Sequence, residues 1–343
     1  MWGKLKRGLT LGKYAPLHHG HQMVIETGLS EMDEMIVIIY DSPETTRVPL
    51  AICSGWIRSL YPAVQLVEAW DGPTEVGYTP ELMRSHERYV IETLGVNSVT
   101  HFYSSEPYGK HMSKALGAID RQIDGAREQV PVSSTQIRSN PFMYREYLDP
   151  EVYRDLITNV VFLGAPCTGK TTLCERLARE FDTQWMPEYG RQYWEKHQIN
   201  RRLSPKQLVE IADGHLEREN ALLERANRYL FTDTNAITTA TFARYYHGFV
   251  DPRLSALADR AITRYDLVFV CDIDVPYEDT WDRSGEVNRS AFQRQVVSDL
   301  NQRKVPFIML GGTFEKRVAR VCNVLNQFKK YVNVLELFED AAP

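Results

Sequence analysis

Two stretches of the sequence concentrate side chains that bind or polarise phosphate. Gly164-Ala165-Pro166-Cys167-Thr168-Gly169-Lys170-Thr171 fits G-x-x-x-x-G-K-[ST], with the apolar run Asn159–Leu163 before it and a helical pattern after it. The glycines let successive amides curl around phosphate oxygens, and the following helix start adds positive potential. Lys170 then balances β/γ-phosphate charge, the Thr171 hydroxyl is a ligand for Mg²⁺, and Thr172 is next in line. A chance glycine turn seldom satisfies every fixed position and both flanks.

The second stretch is Gly12-Lys13-Tyr14-Ala15-Pro16-Leu17-His18-His19-Gly20-His21. His18 and His21 are three apart at the head of a predicted helix, so both rings can face one side. Gly20 leaves room for a phosphate, and a helix start favours anions. Zinc ligation and a satisfied pair of core histidines compete with this reading. H-E-x-x-H and a local cysteine are both missing, and the lead-in through Lys13 and Tyr14 suits phosphate better. Farther on, Ser133, Ser134, Thr135 and Arg138 offer three hydroxyls and a guanidinium before an apolar helical segment. Alone they are an ordinary helix cap; beside H-x-G-H they become the second half of an anion site.

Accessory groups cluster near the later loop. Asp233 ends the apolar run Tyr229–Thr232, where it can hold Mg²⁺ through water, bind a hydroxyl, or merely open a turn. Glu188 follows the run Thr183–Met186 and can accept a proton from an attacking alcohol; a surface ion pair with Arg191 competes. The arginine-rich segment 282–289, with Arg283, Arg289 and then Arg294, is expected to be a lid over phosphates or a solvated loop.

These groups need sheet edges to hold them. The chain has 343 residues, about two domains' worth, with 43% hydrophobic and 25% charged residues, which excludes a disordered or fibrous chain. A net charge of -5 argues against a nucleic-acid coat. Five scattered cysteines without C-x-x-C suit free thiols. The lack of a membrane-length apolar run and of a signal-peptide core points to the cytoplasm. Strand, glycine turn and helix recur at residues 8–21 and 159–180, the opening grammar of an open parallel sheet. Further strand-like runs are Met35–Tyr40, Val99–Tyr103, Leu267–Cys271 and Val305–Leu310, with helices expected over 206–228 and 151–157. The expectation is an α/β chain of two domains, residues 1–157 and 158–343. The first is a Rossmann-like parallel sheet and the second a P-loop parallel sheet.

H-x-G-H with S-S-T-x-I-R resembles the nucleotidylyltransferase superfamily. With the P-loop, Glu188-Tyr189-Gly190-Arg191 and Thr232-Asp233-Thr234-Asn235, the arrangement from about Gly8 to Arg320 resembles NadR-type bifunctional nicotinamide-nucleotide adenylyltransferase/ribosylnicotinamide kinases. Arg47-Val48-Pro49-Leu50, Gly55-Trp56-Ile57-Arg58 and Ser104–Gly109 also look like this family. The resemblance implies that the later domain phosphorylates nicotinamide riboside and the earlier one joins nicotinamide mononucleotide to ATP, giving NAD and pyrophosphate. ATP is co-substrate of both, with Mg²⁺ as cofactor. It implies Gly12, Lys13, Tyr14, His18, Gly20, His21, Ser133, Ser134, Thr135 and Arg138 around one ATP, and Arg47 and Trp56 around the mononucleotide. It implies residues 164–172, Arg283, Arg289 and Phe314 around the other ATP, with Arg317 a further candidate beside the adenine. Glu188, Tyr189, Arg191, Asp233 and Asn235 would surround the riboside, with Mg²⁺ at Thr171 and Asp233. Some family members carry an N-terminal helix-turn-helix; here the first strand begins by about residue 8, so no DNA partner is expected. No membrane partner is expected either, and a homo-oligomer is allowed. Val132 stands where isoleucine is more usual. The rivals are a pantetheine-phosphate adenylyltransferase/dephospho-coenzyme A kinase, and a nucleotide sensor without turnover.

Overall fold

Strands rich in Val, Ile and Phe, several buried on both faces, build two parallel five-stranded sheets. The computed structural model describes residues 5–73, 75, 77–198, 203–276 and 286–332. Two compact units divide between Tyr153 and Arg154, inside the helix Pro150–Leu156, and the second ends at Lys330, with Tyr331 and Val332 grouped with the first.

The first unit holds β1 (Arg7–Gly12), β2 (Glu34–Tyr40), β3 (Gln65–Ala69), β4 (His101–Ser104) and β5 (Ile119–Gln122), in the order β3-β2-β1-β4-β5. The central strand β1 pairs with β2 from Arg7↔Glu34 to Gly12↔Ile39 and with β4 on its other side. Successive strands go first to one side of β1 and then to the other. The reversal falls at the C-terminal end of β1, the place where open sheets bind ligands. The helix His19–Glu31 starts just beyond it.

The second unit holds β6 (Thr158–Leu163), β7 (Gln184–Met186), β8 (Tyr229–Asp233), β9 (Leu267–Cys271) and β10 (Ile308–Leu310), in the order β10-β9-β6-β8-β7. Every residue of β6 is buried. Phe162 stacks on Phe269 at 5.4 Å between ring centroids and lies 6.3 Å from Phe231, a layer running across β9, β6 and β8. Helices Lys170–Glu180 and Phe314–Gln327 cover this face with Leu173, Leu177, Val321 and Leu325. The opposite face packs on helices Pro205–Leu223, Ala236–His247 and Pro252–Arg260. Register sets the site: Phe162 pairs with Asp233 and Leu163 with Val270, so β6, β8 and β9 end together.

Several elements depart from expectation. The helix expected over 206–228 runs Pro205–Leu223, started by a capping box between Ser204 and Gln207. β10 covers only the last three residues of the Val305–Leu310 run. The segment expected to be a loop to 289 is helical from Glu286. β3, with a single buried position, and β5, exposed or half-exposed throughout, had no counterpart in the sequence pattern. No disulfide joins any of the five cysteines. No helix is long and apolar enough to cross a membrane among the described residues.

Phe162→Ala should destabilise the second unit by about 3–5 kcal/mol, because a fully buried ring leaves a cavity between two others. Urea unfolding followed by a probe in that unit measures this.

Candidate active sites

In the second unit β6 runs straight into the phosphate loop. Gly164 has φ +130°, and a Cβ there would sit 2.6 Å from the Cys271 carbonyl oxygen, so only glycine fits. Cys167 (φ 61°) and Gly169 (φ 80°) are also left-handed, which curls the chain into the helix Lys170–Glu180. The first four amides of that helix have no acceptor within it. Lys170 is 8% exposed, and its Nζ donates to the carbonyls of Gly164 (3.1 Å) and Ala165 (2.9 Å), which holds the ammonium within the loop. The Thr168 hydroxyl closes the turn onto the Ala165 carbonyl at 2.9 Å. Pro166 is half-buried, and Thr172 lies exposed on the first helical turn.

Beside the loop, the Thr171 hydroxyl donates to Asp233 Oδ2. Asp233 is fully buried, and its Oδ1 has no hydrogen-bond partner among the described residues. Burial first, and then the Glu188 carboxylate, hold the Asp233 carboxyl above its ordinary pKa, while Lys170 and Thr171 oppose the shift. An orphaned carboxylate oxygen next to a hydroxyl and a phosphate loop fits Mg²⁺ held through water and phosphate. No group of three or more His, Cys, Asp or Glu among the described residues could hold a metal. The fit therefore depends on phosphate oxygens completing the shell.

Glu188 precedes the helix Tyr189–His197 and lies 3.6 Å from Arg191, so the ion pair weighed against a chemical role is present. The Glu188 carboxylate is also near enough to Asp233 to help raise its pKa. Tyr189 carries the Arg218 guanidinium 3.7 Å above its ring. Asn235 has its side-chain oxygen committed to the amides of Ile237 and Thr238 as the cap of the next helix. Sequence reasoning missed His215, whose buried Nε2 has no hydrogen-bond partner among the described residues. It also missed Glu219, which accepts from Thr232, Arg264 and Tyr265.

Two arginines stand elsewhere than expected. Arg289 is 5% exposed and donates to the backbone carbonyls of Cys167 (2.8 Å) and Val275 (2.9 Å), so it is no solvated lid arginine. Arg317 is 3% exposed and spends its donors on protein oxygens, which leaves it behind the loop rather than on a base. Phe314 packs half-buried on the core at the start of its helix. Arg283 lies outside the described residues.

In the first unit His18 is the helix cap. Its Nδ1 accepts the Gly20 amide at 3.1 Å, and its Nε2 lies 3.1 Å from Ser134 Oγ. With Nδ1 accepting, the neutral ring carries its proton on Nε2 and donates it to Ser134. Both nitrogens are engaged, which argues against zinc. A Cβ at Gly20 would come 2.9 Å from His18 Cε1, so the space expected for phosphate beside Gly20 is filled by this ring. His21 stacks on His18 at 3.9 Å and meets the edge of Tyr14 at 5.0 Å. Burial pushes the His18 pKa down to about 4, helped by Arg127, His19 and Arg138. His21 is held well below its ordinary value by burial and by His18.

Ser133 starts the helix Ser134–Ser139 with a capping box to Gln136. Arg138 donates to the Ala15 carbonyl (2.6 Å) and to the Thr135 hydroxyl (3.0 Å). Two contacts, His18–Ser134 and Arg138–Ala15, thus join motifs far apart in sequence. Lys13 is paired with Glu44 and donates to Thr45 at 2.9 Å. Gly12 ends β1, and exposed Arg47 lies between β2 and the helix Leu50–Leu60. Trp56 corrects an expectation: it is 1% exposed on the inward face of that helix with Cys53 and Ile57, so it packs the core and cannot stack on a ligand. An exposed indole is Trp70, directly after β3 and 57% exposed. Arg127 was also missed; it lies close enough to His18 and His21 to depress both imidazoles.

Fold and sites define a two-unit nucleotide-binding α/β protein, and residues 159–317 match the AAA domain family. The chain is similar to NadR proteins over most of its length. It is 28% identical over 321 residues to the trifunctional NAD biosynthesis/regulator protein NadR of Salmonella typhimurium, spanning 88% of this chain and 78% of that protein. The Escherichia coli NadR protein is 28% identical over 323 residues with the same coverage. In fold it resembles the crystal structure of a NadR protein in complex with NAD and AMP-PNP: TM-score 0.55, 22% identity, 95% of this chain and 96% of that one. The NR complex of a NadR protein gives a TM-score of 0.56, 22% identity, and 94% and 96% coverage.

Protonating His18 removes the acceptor for the Gly20 amide. The unfolded ring titrates near 6.5 and the folded one near 4, so between those values the unfolded chain binds more protons. The stabilisation present above about pH 6.5 should fade as pH falls towards 4. His18→Asn, which keeps a capping oxygen and does not titrate, should make that part of a stability–pH curve measured by urea unfolding less steep, with His21 supplying the slope that remains.

Proposed function

We propose that the chain is a bifunctional enzyme of NAD biosynthesis. Residues 158–343 transfer the γ-phosphoryl group of ATP to the 5′-hydroxyl of nicotinamide riboside, giving nicotinamide mononucleotide and ADP. Residues 1–157 join that mononucleotide to a second ATP, giving NAD and pyrophosphate. The observation that carries the reading is the meeting of the two distant motifs, through His18–Ser134 and Arg138–Ala15, in a unit separate from the phosphate loop. The likeness to NadR proteins along both units supports it.

In the second unit, loop amides and Lys170 hold the β- and γ-phosphates while charge spreads over the transferring group. Thr171 and Asp233 would hold Mg²⁺, which when bound would neutralise phosphate charge. Glu188 receives the proton of the ribose hydroxyl as its oxygen attacks, and Arg191 and Tyr189 orient the riboside. In the first unit, a phosphate oxygen of the mononucleotide attacks the α-phosphorus of ATP and pyrophosphate leaves. No covalent enzyme intermediate forms, so catalysis is positioning plus charge stabilisation. Arg138 and Arg127 face the triphosphate, His18 holds the helix start and Ser134 in place beside them, and Arg47 takes the mononucleotide phosphate.

The test follows labelled nicotinamide riboside with ATP. The chain should yield mononucleotide and then NAD, and dephospho-coenzyme A should not be phosphorylated. Lys170→Ala should cut riboside phosphorylation by about a hundredfold or more while adenylylation of supplied mononucleotide continues. His18→Ala should do the reverse. Loss of both reactions from either change in folded protein contradicts two independent sites.

A further inference from the structure

The phosphate loop is gripped from behind by three side chains that sequence motifs do not assign to it. In a planar trans peptide the carbonyl and the next amide point opposite ways. Holding the Cys167 carbonyl outward therefore turns the Thr168 amide inward, and holding the Thr168 carbonyl outward turns the Gly169 amide inward. Both carbonyls end on buried guanidiniums: Cys167 on Arg289 at 2.8 Å and Thr168 on Arg317 at 2.8 Å. Gln293 secures the loop entrance, its Oε1 accepting the Ala165 amide at 2.8 Å and its Nε2 donating to the Cys271 carbonyl of β9 at 3.0 Å.

Arg317 extends the grip. Its Nε donates to the Gly312 carbonyl at 3.1 Å and its Nη2 to that of Asp272 at 3.2 Å, with Asp274 as its charge partner. One guanidinium thus ties the phosphate loop to the segments after β9 and β10. Exposures of 5% for Arg289, 6% for Gln293 and 3% for Arg317 keep water from replacing these bonds. The loop needs such support, since Cys167 at φ 61° is a non-glycine residue in the left-handed region.

We propose that Arg317, Arg289 and Gln293 are positioning residues of the second unit's ATP site, which fix the phosphate loop with its amides turned to the phosphates without touching the nucleotide themselves. The proposal rests on the reading of that unit as an ATP-dependent kinase. Lysine cannot replace Arg317, because a single ammonium lacks the planar fork that reaches separate carbonyls.

The experiment uses the full chain. Affinity for AMP-PNP at the second site is measured by calorimetry, and KM for ATP, KM for riboside and kcat by riboside phosphorylation. Arg317→Met should raise KM for ATP and weaken AMP-PNP binding about tenfold or more, with KM for riboside little changed and adenylylation by the first unit unaltered. Arg317→Lys should recover only part of the loss. Should Arg317→Met not fold, Arg289→Lys and Gln293→Glu carry the test with smaller shifts in the same direction; Glu keeps the acceptor for Ala165 and loses the donor to Cys271. A lower melting temperature with unchanged AMP-PNP affinity overturns the proposal, as does a fall in kcat alone. If the unaltered chain binds AMP-PNP at this site but phosphorylates no riboside, the riboside assignment fails and the binding series still decides the proposal.

Discussion

A central parallel strand that ends in a glycine turn and feeds a helix start is the constraint on which both units depend. β1 leads to the helix His19–Glu31 and β6 to Lys170–Glu180, each in the middle of its sheet. The sheet fixes where the strand stops, and the helix supplies amides with no internal acceptor. Burial of the strands makes the geometry definite. A one-residue slip of β6 would turn Val161 and Phe162 to the wrong faces and move Asp233 away from Thr171.

The two units gather positive potential by different means. The second uses the loop's amides with one buried ammonium, braced by side chains that bond its outward carbonyls. The first uses an uncharged imidazole as helix cap and surrounds it with Arg127 and Arg138. Neutral His18 is a consequence of that placement: burial and two guanidiniums disfavour a second proton, and the capping bond needs a free lone pair. The Asp233 pKa moves up instead, because burial and the neighbouring Glu188 carboxylate disfavour its charged form, against the pull of Lys170.

What could be read from sequence followed from how local the physics is. The phosphate loop and H-x-G-H depend on neighbours in the chain, and both stand at strand-to-helix turns. β2, β6, β8 and β9 are apolar throughout or nearly so and were visible as runs. β3 and β5, with charged and exposed positions, carried no such signal. Trp56 was misplaced because a motif was followed where helical spacing already put Cys53, Trp56 and Ile57 on one inward face. Arg289 and Arg317 act on carbonyls 122 and 149 residues away, and no pattern of residue types announces a bond to backbone at such separation. The ties of Lys13 to Glu44 and of Glu219 to Arg264 are hidden for the same reason.

The number of AMP-PNP molecules bound by the full chain under saturating conditions tests most directly the claim of two separate triphosphate sites. Two per chain for the unaltered protein, falling to one in Lys170→Ala, is the predicted result. A single site in the unaltered chain, or the loss of both in folded Lys170→Ala, would contradict it.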